Sequence, residues 1–249
     1  DKVRAYGSTL MPYTPQEAAE EALRWKEQGF SAVKMGWGGF ELPQSECVKL
    51  VEATRNAIGD DMDMMLDIGF IPSGDFNVTA ASRLLLINEI REFKPYWIEE
   101  AVYPDDYEGY KMLVESTDVR IAGGENETTR YGFKQLIEVC KLDILQPDIT
   151  RCGGLTEAKR IGAMATAHNT TVIPHAWSSG IVIAASLHFI ATQSNSNLLE
   201  YCVWDTPIRK EMLKQDFKLR DGYVDVPMGP GLGIEIDDEA IQKYRCDII

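Results

Sequence analysis

The sequence predicts an α/β fold, specifically a TIM-type (β/α)7β barrel, and three observations carry that prediction. From residue 3 onward short β-type runs alternate strictly with helical patterns; there are eight such runs in 249 residues; and no GxGxxG follows the first of them. Strict alternation implies parallel strands joined by right-handed crossovers, and eight of these can close into a barrel. The missing glycine motif disfavours an open, doubly wound dinucleotide-binding sheet.

The first candidate strand is VRAYGS, residues 3–8. The clearest helix signal follows it: Thr14 as N-cap, Pro15 in the first turn, Glu17 closing a capping box and Gly29 as the stop. The remaining strands are expected at 31–35, 62–67, 96–100, 119–124, 143–148, 171–175 and 197–202. Helical patterns separate them at 45–58, 78–93, 105–116, 128–140, 155–168 and 179–193, and none of comparable clarity follows the eighth strand. Residues 1–202 therefore form the expected barrel. Residues 203–249, turn-rich at MGPGLGIEID and with a short helix pattern in DDEAIQKYR, are expected to pack outside it.

Composition bounds the function. With 45% hydrophobic and 26% charged residues the chain is an ordinary globular protein. A net charge of -14 without any Lys/Arg block argues against nucleic acid and suits a cation in a carboxylate site. No apolar stretch is long enough to span a bilayer and DKVRAYGSTL lacks a signal-peptide pattern, so a cytoplasmic location is expected. The five cysteines show no metal-ligand spacing, and an odd number does not fit a disulfide framework.

In such a barrel the site is built where strands end. Those positions carry Lys34, Asp67, Glu99, Glu125, Asp148, His175 and Glu200, each about one βα unit from the next. Three carboxylates gathered at one mouth repel unless a cation neutralises them, and the oxygen donors of Asp67, Glu99 and Glu125 suit Mg2+. Glu99 is followed by Glu100; side chains alternate along a strand, so Glu99 is assigned inward with Trp97, and Glu100 is expected to meet a structural cation. Asp148 and His175 end adjacent strands, where the carboxylate fixes the imidazole tautomer of a general base. Lys34 supplies positive charge opposite them, and Glu200 is a proton donor if desolvation keeps it neutral.

Each residue also has a plainer reading. A lone acidic residue at a strand end is more often a helix cap or a loop charge, and the lesser alternative for Lys34 is an ion-pair partner of Asp67 or Glu99. Trp37 and Trp177 border the mouth as pocket walls or as rim packing. Gly153 and Gly154 read best as a helix start, and His168 and His188, on helix patterns, as structural.

The ordered set VKMG, MLDIG, WIEE, AGGEN, QPDITRCGG, VIPHAW and LLEYC resembles the enolase superfamily, specifically its mandelate racemase subgroup, over nearly the whole chain. The resemblance implies that Asp67, Glu99 and Glu125 hold Mg2+, that the metal binds a substrate carboxylate and stabilises the enediolate formed when the α-proton leaves, and that His175, oriented by Asp148, is the acid/base. It places Glu200 against the enediolate oxygen and Lys34 near the carboxylate. It also implies a homo-oligomer and an N-terminal α+β capping domain over the mouth, with residues 203–249 reaching toward it; these 249 residues contain no such domain.

The sequence departs from the family where a Lys-x-Lys pair would stand: the stretch is Lys34, Met35, Gly36. One strong base disfavours racemisation and leaves β-elimination, so dehydration of a sugar acid is the first expectation. Cycloisomerisation of a sugar-acid lactone is the second. A non-catalytic barrel with a residual metal site is the reading from another class.

Overall fold

The structure, a computed structural model, describes residues 1–69, 78–204 and 206–246. The chain runs β1 (Lys2–Leu10), α1 (Pro15–Glu27), β2 (Ala32–Gly36), α2 (Gln44–Ile58), β3 (Asp63–Asp67), α3 (Ala80–Ile90), β4 (Trp97–Glu99), α4 (Tyr107–Ser116), β5 (Ile121–Gly123), α5 (Thr129–Glu138), β6 (Ile144–Leu145), α6 (Gly154–Ala167), β7 (Thr171–Val172), α7 (Gly180–Ala191) and β8 (Leu198–Cys202). Then come α8 (Pro207–Lys210), β9 (Leu219–Arg220), β10 (Tyr223–Asp225) and α9 (Asp238–Tyr244). The fold is the predicted α/β barrel of the TIM type.

Parallel ladders join β8 to β1, β1 to β2 and each strand in turn as far as β7. At the seam between β7 and β8 no ladder is present among the described residues. Isolated hydrogen bonds cross it instead: the Val172 N–H donates to the Asn195 carbonyl (2.9 Å), Asn195 Nδ2 to the Thr170 carbonyl (2.8 Å) and the Ala176 N–H to Glu200 Oε2 (2.7 Å).

Alternation along the strands sorts the apolar residues into two cores. Tyr6, Ala32, Met65, Trp97, Ala122, Ile144, Ile173 and Leu198, one from each β-segment of the barrel, pack together as its interior. Their neighbours Val33, Met64, Leu66, Ile98, Ile121, Leu145, Val172 and Leu199 face outward into a core shared with helix residues such as Ala18, Leu50, Ile87, Leu113, Phe133 and Ile161. Each large aliphatic side chain buried there contributes about 1.5–3 kcal/mol.

The first helix begins at the predicted Thr14 N-cap with Pro15 in the first turn, but only half of the expected capping box forms: the Glu17 N–H donates to Thr14 Oγ1 at 3.3 Å. The Thr14 hydroxyl also donates to the Glu17 carboxylate, at 2.7 Å. Several strands are shorter than predicted, and three lose half their length or more: the run expected at 119–124 forms only Ile121–Gly123. The runs expected at 143–148 and 171–175 form ladders only over Ile144–Leu145 and Thr171–Val172, since Pro147 and Pro174 follow and proline has no N–H to donate.

The prediction contains no β-structure after the barrel, yet β9 and β10 form a hairpin that pairs antiparallel with the start of β1 through Lys2, Val3 and Arg4. Among the described residues no helix is long and apolar enough to cross a membrane.

Candidate active site

Stepping two residues from the inner apolar ring toward the strand ends converts the side chain from apolar to polar on every strand but β5, where Ala122 leads to Gly124 and Glu125 lies one residue further on. Tyr6 leads to Ser8, Ala32 to Lys34, Met65 to Asp67, Trp97 to Glu99, Ile144 to Gln146, Ile173 to His175 and Leu198 to Glu200. The period-two geometry that fills the barrel thus aims a second, polar layer at its mouth. Above this layer opens a cavity of about 310 Å³ whose lining includes Ser8, Lys34, Asp67, Glu125, His175 and Glu200.

Asp67, Glu99 and Glu125 each offer a carboxylate oxygen, and the three atoms lie within 4.8 Å of one another. The Gly69 N–H donates to Asp67 Oδ1 (3.0 Å) and Trp97 Nε1 to Glu99 Oε2 (3.0 Å), so both carboxylates are held in place. Burial raises the Asp67 pKa well above its ordinary value; Glu99 and Glu125 push it further and Lys34 opposes them. Glu99 is raised likewise, by burial first and then by Glu200 and Glu125 against Lys34. Oxygen donors alone, in a site where negative charge is crowded, fit a hard divalent cation.

The Lys34 ammonium sits among these acids. It contacts Glu99 Oε1, lies 2.8 Å from Glu200 Oε1 and 4.0 Å from Asp67 Oδ2. Burial disfavours its charge, but Glu200 and Glu99 outweigh that and raise its pKa well above normal. The ion-pair reading of Lys34 therefore describes its contacts correctly.

His175 Nδ1 donates to Asp148 Oδ2 at 2.8 Å, and its Nε2 lies 3.3 Å from Glu125 Oε2. Asp148 is anchored at its other oxygen by the N–H (2.7 Å) and hydroxyl (2.5 Å) of Thr150. Burial opposes ionisation of Asp148, yet the hydrogen bonds from His175 and Thr150 bring its pKa below normal. For His175 burial likewise disfavours charge, but Glu200, Glu125 and the Asp148 hydrogen bond prevail and raise its pKa to about 9. Arg151 reaches Glu125 Oε1 (3.4 Å) from the solvent side.

Two expectations need correction. Glu200 is not held neutral by desolvation: burial pushes its pKa up, but Lys34, His175 and the hydrogen bonds from Lys34 and the Ala176 N–H bring it down to about 2. Ser8 Oγ also donates to Glu200 Oε1, at 2.8 Å. Glu100 meets no cation among the described residues. Its Oε1 accepts from the Gly124 N–H (2.7 Å), the Tyr110 hydroxyl lies beside it, and burial followed by Glu125 raises its pKa to about 7.

Sequence reasoning leaves out Ser8, Gln146, Arg151 and Trp204. Gln146 is buried beside Glu99, one alternation step beyond Ile144, and the same counting that selects Glu99 finds it. Trp37 and Trp177 line the cavity together with Trp204. Gly153 caps the start of α6, His168 caps its end, and His188 Nε2 lies 3.1 Å from the Leu232 carbonyl, all away from the cavity. Four cysteines are buried and Cys246 is exposed; all five are free thiols.

The profile of the Enolase C-terminal domain-like family matches residues 17–240. The D-galactarolactone cycloisomerase of Agrobacterium fabrum is 32% identical over 91% of this chain and 60% of its own length. The D-galactonate dehydratase of Cronobacter sakazakii is 33% identical over 97% of this chain and 64% of its own. Among solved structures, the 3,6-anhydro-D-galactonate cycloisomerase of Zobellia galactanivorans superposes with a TM-score of 0.87 at 35% identity, covering 98% of this chain and 66% of that one. The chain thus spans slightly less than two thirds of the length of these relatives, over their barrel portion. Matching in barrel and in profile, this chain belongs to the enolase superfamily, in its mandelate racemase and muconate lactonizing enzyme branch.

Proposed function

We propose that residues 1–202 form the catalytic barrel, with an outer segment at 203–249, of a Mg2+-dependent enzyme that removes the proton α to the carboxylate of a sugar acid and dehydrates it to a 2-keto-3-deoxy acid. One observation carries the reading: Asp67 and Glu125, two members of a three-carboxylate cluster, line the same cavity as His175 with its Asp148 partner. Mg2+ held by Asp67, Glu99 and Glu125 would supply positive charge where charge builds on the substrate carboxylate, an effect on the order of several kcal/mol.

The protein's own groups perform the rest. With Nδ1–H committed to Asp148, neutral His175 presents the Nε2 lone pair to the cavity and takes the α-proton, the C–H electrons passing into the carboxylate. Those electrons then form the carbon–carbon double bond as the β-hydroxyl departs with its C–O pair, receives the proton from Nε2 and leaves as water. The resulting enol tautomerises to the keto acid. Lys34, held by Glu200, directs its ammonium toward the carboxylate end. Gly36, where a second lysine would stand, leaves His175 as the base on one face.

A second reading is lactone cycloisomerisation, which also needs one principal acid/base; one relative above is named for the cycloisomerisation of a sugar-acid lactone and another for that of an anhydro sugar acid. Incubation with Mg2+ and a sugar-acid and lactone library in D2O tests both. The expected result is a 2-keto-3-deoxy acid carrying deuterium, with His175→Asn slowing exchange by about 10²- to 10⁴-fold. Ring opening without loss of water selects the cycloisomerase, and absence of exchange with every acid selects a non-catalytic barrel.

A further inference from the structure

Among the described residues that line the cavity, Lys34 and Arg151 carry permanent positive charge, and they are held in different ways. Lys34 is buried, its ammonium taken up by Glu99, Glu200 and Asp67. Arg151, with 43% of its side chain exposed, makes only long contacts. Its Nη1 lies 3.2 Å from Asn126 Oδ1 and 3.4 Å from both the carbonyl oxygen and Oε1 of Glu125, and its Nε lies 3.9 Å from Asp148 Oδ2. A guanidinium fully engaged by a carboxylate closes to about 2.7–2.9 Å and often uses two donors at once. Arg151 therefore keeps hydrogen-bonding capacity to spare at the cavity wall.

The backbone beneath it is fixed. In QPDITRCGG the N–H groups of Arg151 (3.0 Å) and Cys152 (2.8 Å) both donate to the Asp148 carbonyl, while Thr150 holds the Asp148 carboxylate. One turn thus carries the partner of His175 and, three residues on, the arginine. Glu125 makes a second link, with Oε1 toward Arg151 and Oε2 3.3 Å from His175 Nε2. The guanidinium and the nitrogen that moves the proton flank one carboxylate. Lys34, by contrast, rises from β2, across the ring from the β6 turn that bears Arg151.

We propose that Arg151 is a further catalytic residue, donating a hydrogen bond to the departing β-hydroxyl as its C–O bond breaks. The proposal rests on the dehydration reading given above and assigns that reaction its leaving-group contact. Lys34 serves the carboxylate end, so the rest of the substrate extends toward the opposite wall. His175 takes the α-proton and then supplies a proton to the β-oxygen, which must come within reach of Nε2, on the side where Arg151 stands. Arg151 transfers no proton, because a guanidinium stays charged. It offers fixed positive charge to the oxygen that takes the C–O electron pair, until the proton from Nε2 completes the water.

Partitioning of the intermediate in D2O tests this on the full chain with Mg2+, using D-galactonate, D-gluconate, D-xylonate and D-arabinonate as probes. Wild type is expected to expel water from at least one of them faster than it returns deuterium to the α-carbon of the unreacted acid. Arg151→Gln should slow loss of water about 10- to 100-fold while α-exchange continues, so that the ratio of exchange to elimination rises by about that factor. Arg151→Lys, which keeps the charge and a donor, should restore part of the wild-type ratio. Exchange and elimination slowed alike, or a raised KM with the ratio unchanged, overturns the role of Arg151 and leaves the dehydration reading standing. Loss of water from none of the four acids in wild type overturns both.

Discussion

His175 has two carboxylate neighbours with opposite consequences for catalysis. Asp148 fixes the tautomer that leaves Nε2 facing the cavity, while Glu125, 3.3 Å from Nε2, favours the imidazolium, which cannot accept a proton. A base working near neutral pH therefore needs the Glu125 charge engaged elsewhere, which is what a cation on that carboxylate would do. In chelator-treated protein the imidazole should titrate at about 9, as NMR of its ring protons would read, and Mg2+ should lower that value. Because the folded-state pKa is raised, the associated stabilisation is complete below the ordinary 6.5 and is lost as pH rises toward about 9. Thermal denaturation in EDTA should lose stability across that window, and less steeply with Mg2+; a titration indifferent to Mg2+ would separate Glu125 from the metal. Glu200 illustrates how far a strand-end residue can be read in sequence. Its position followed from period two, but its ionisation depends on Lys34 reaching it from two strands away, which only packing reveals.

At the level of elements, β2 and the loops after β6 and β7 decide what the site can do. A Cβ on Gly36 would lie 2.6 Å from the Asp67 Cβ, so no side chain fits there without moving a carboxylate of the cluster. The departure from Lys-x-Lys is therefore built into the β2–β3 contact. Gly36→Ala should weaken Mg2+ binding about 10- to 100-fold by isothermal titration, with the helix content of the barrel retained; undiminished affinity would show that Asp67 yields easily. Pro147 and Pro174 end the β6 and β7 ladders before Asp148 and His175, placing the pair on short connections rather than within strands. Sequence periodicity located both residues but overran the strands, because the apolar pattern continues past the prolines. The sequence reading omits the hairpin of β9 and β10: Asp221-Gly222, with φ of 49° and 81°, is the two-residue turn signal that marks it, but its flanking runs are too short for alternation to show.

For the whole molecule, closure of the ring brings distant residues together, and the β7–β8 seam is its weakest joint. Only Val172 and Ala176 among the described residues send backbone N–H groups across it, the latter to Glu200, so the seam carries a site residue as one of its links. Hydrogen exchange should show the amide of Ala176 less protected than ladder amides of β2 and β3, and faster still in Glu200→Ala than in Glu200→Gln, which keeps an acceptor. Equal protection in all three would mean that the seam holds by other contacts. The central claim is that a closed barrel gathers Asp67, Glu99 and Glu125 around one divalent cation beside His175. Anomalous diffraction from crystals grown with Mn2+ tests it most directly. The predicted result is a single strong peak about 2.0–2.3 Å from an oxygen of each of the three carboxylates; a peak elsewhere, or none in the cavity, would contradict it.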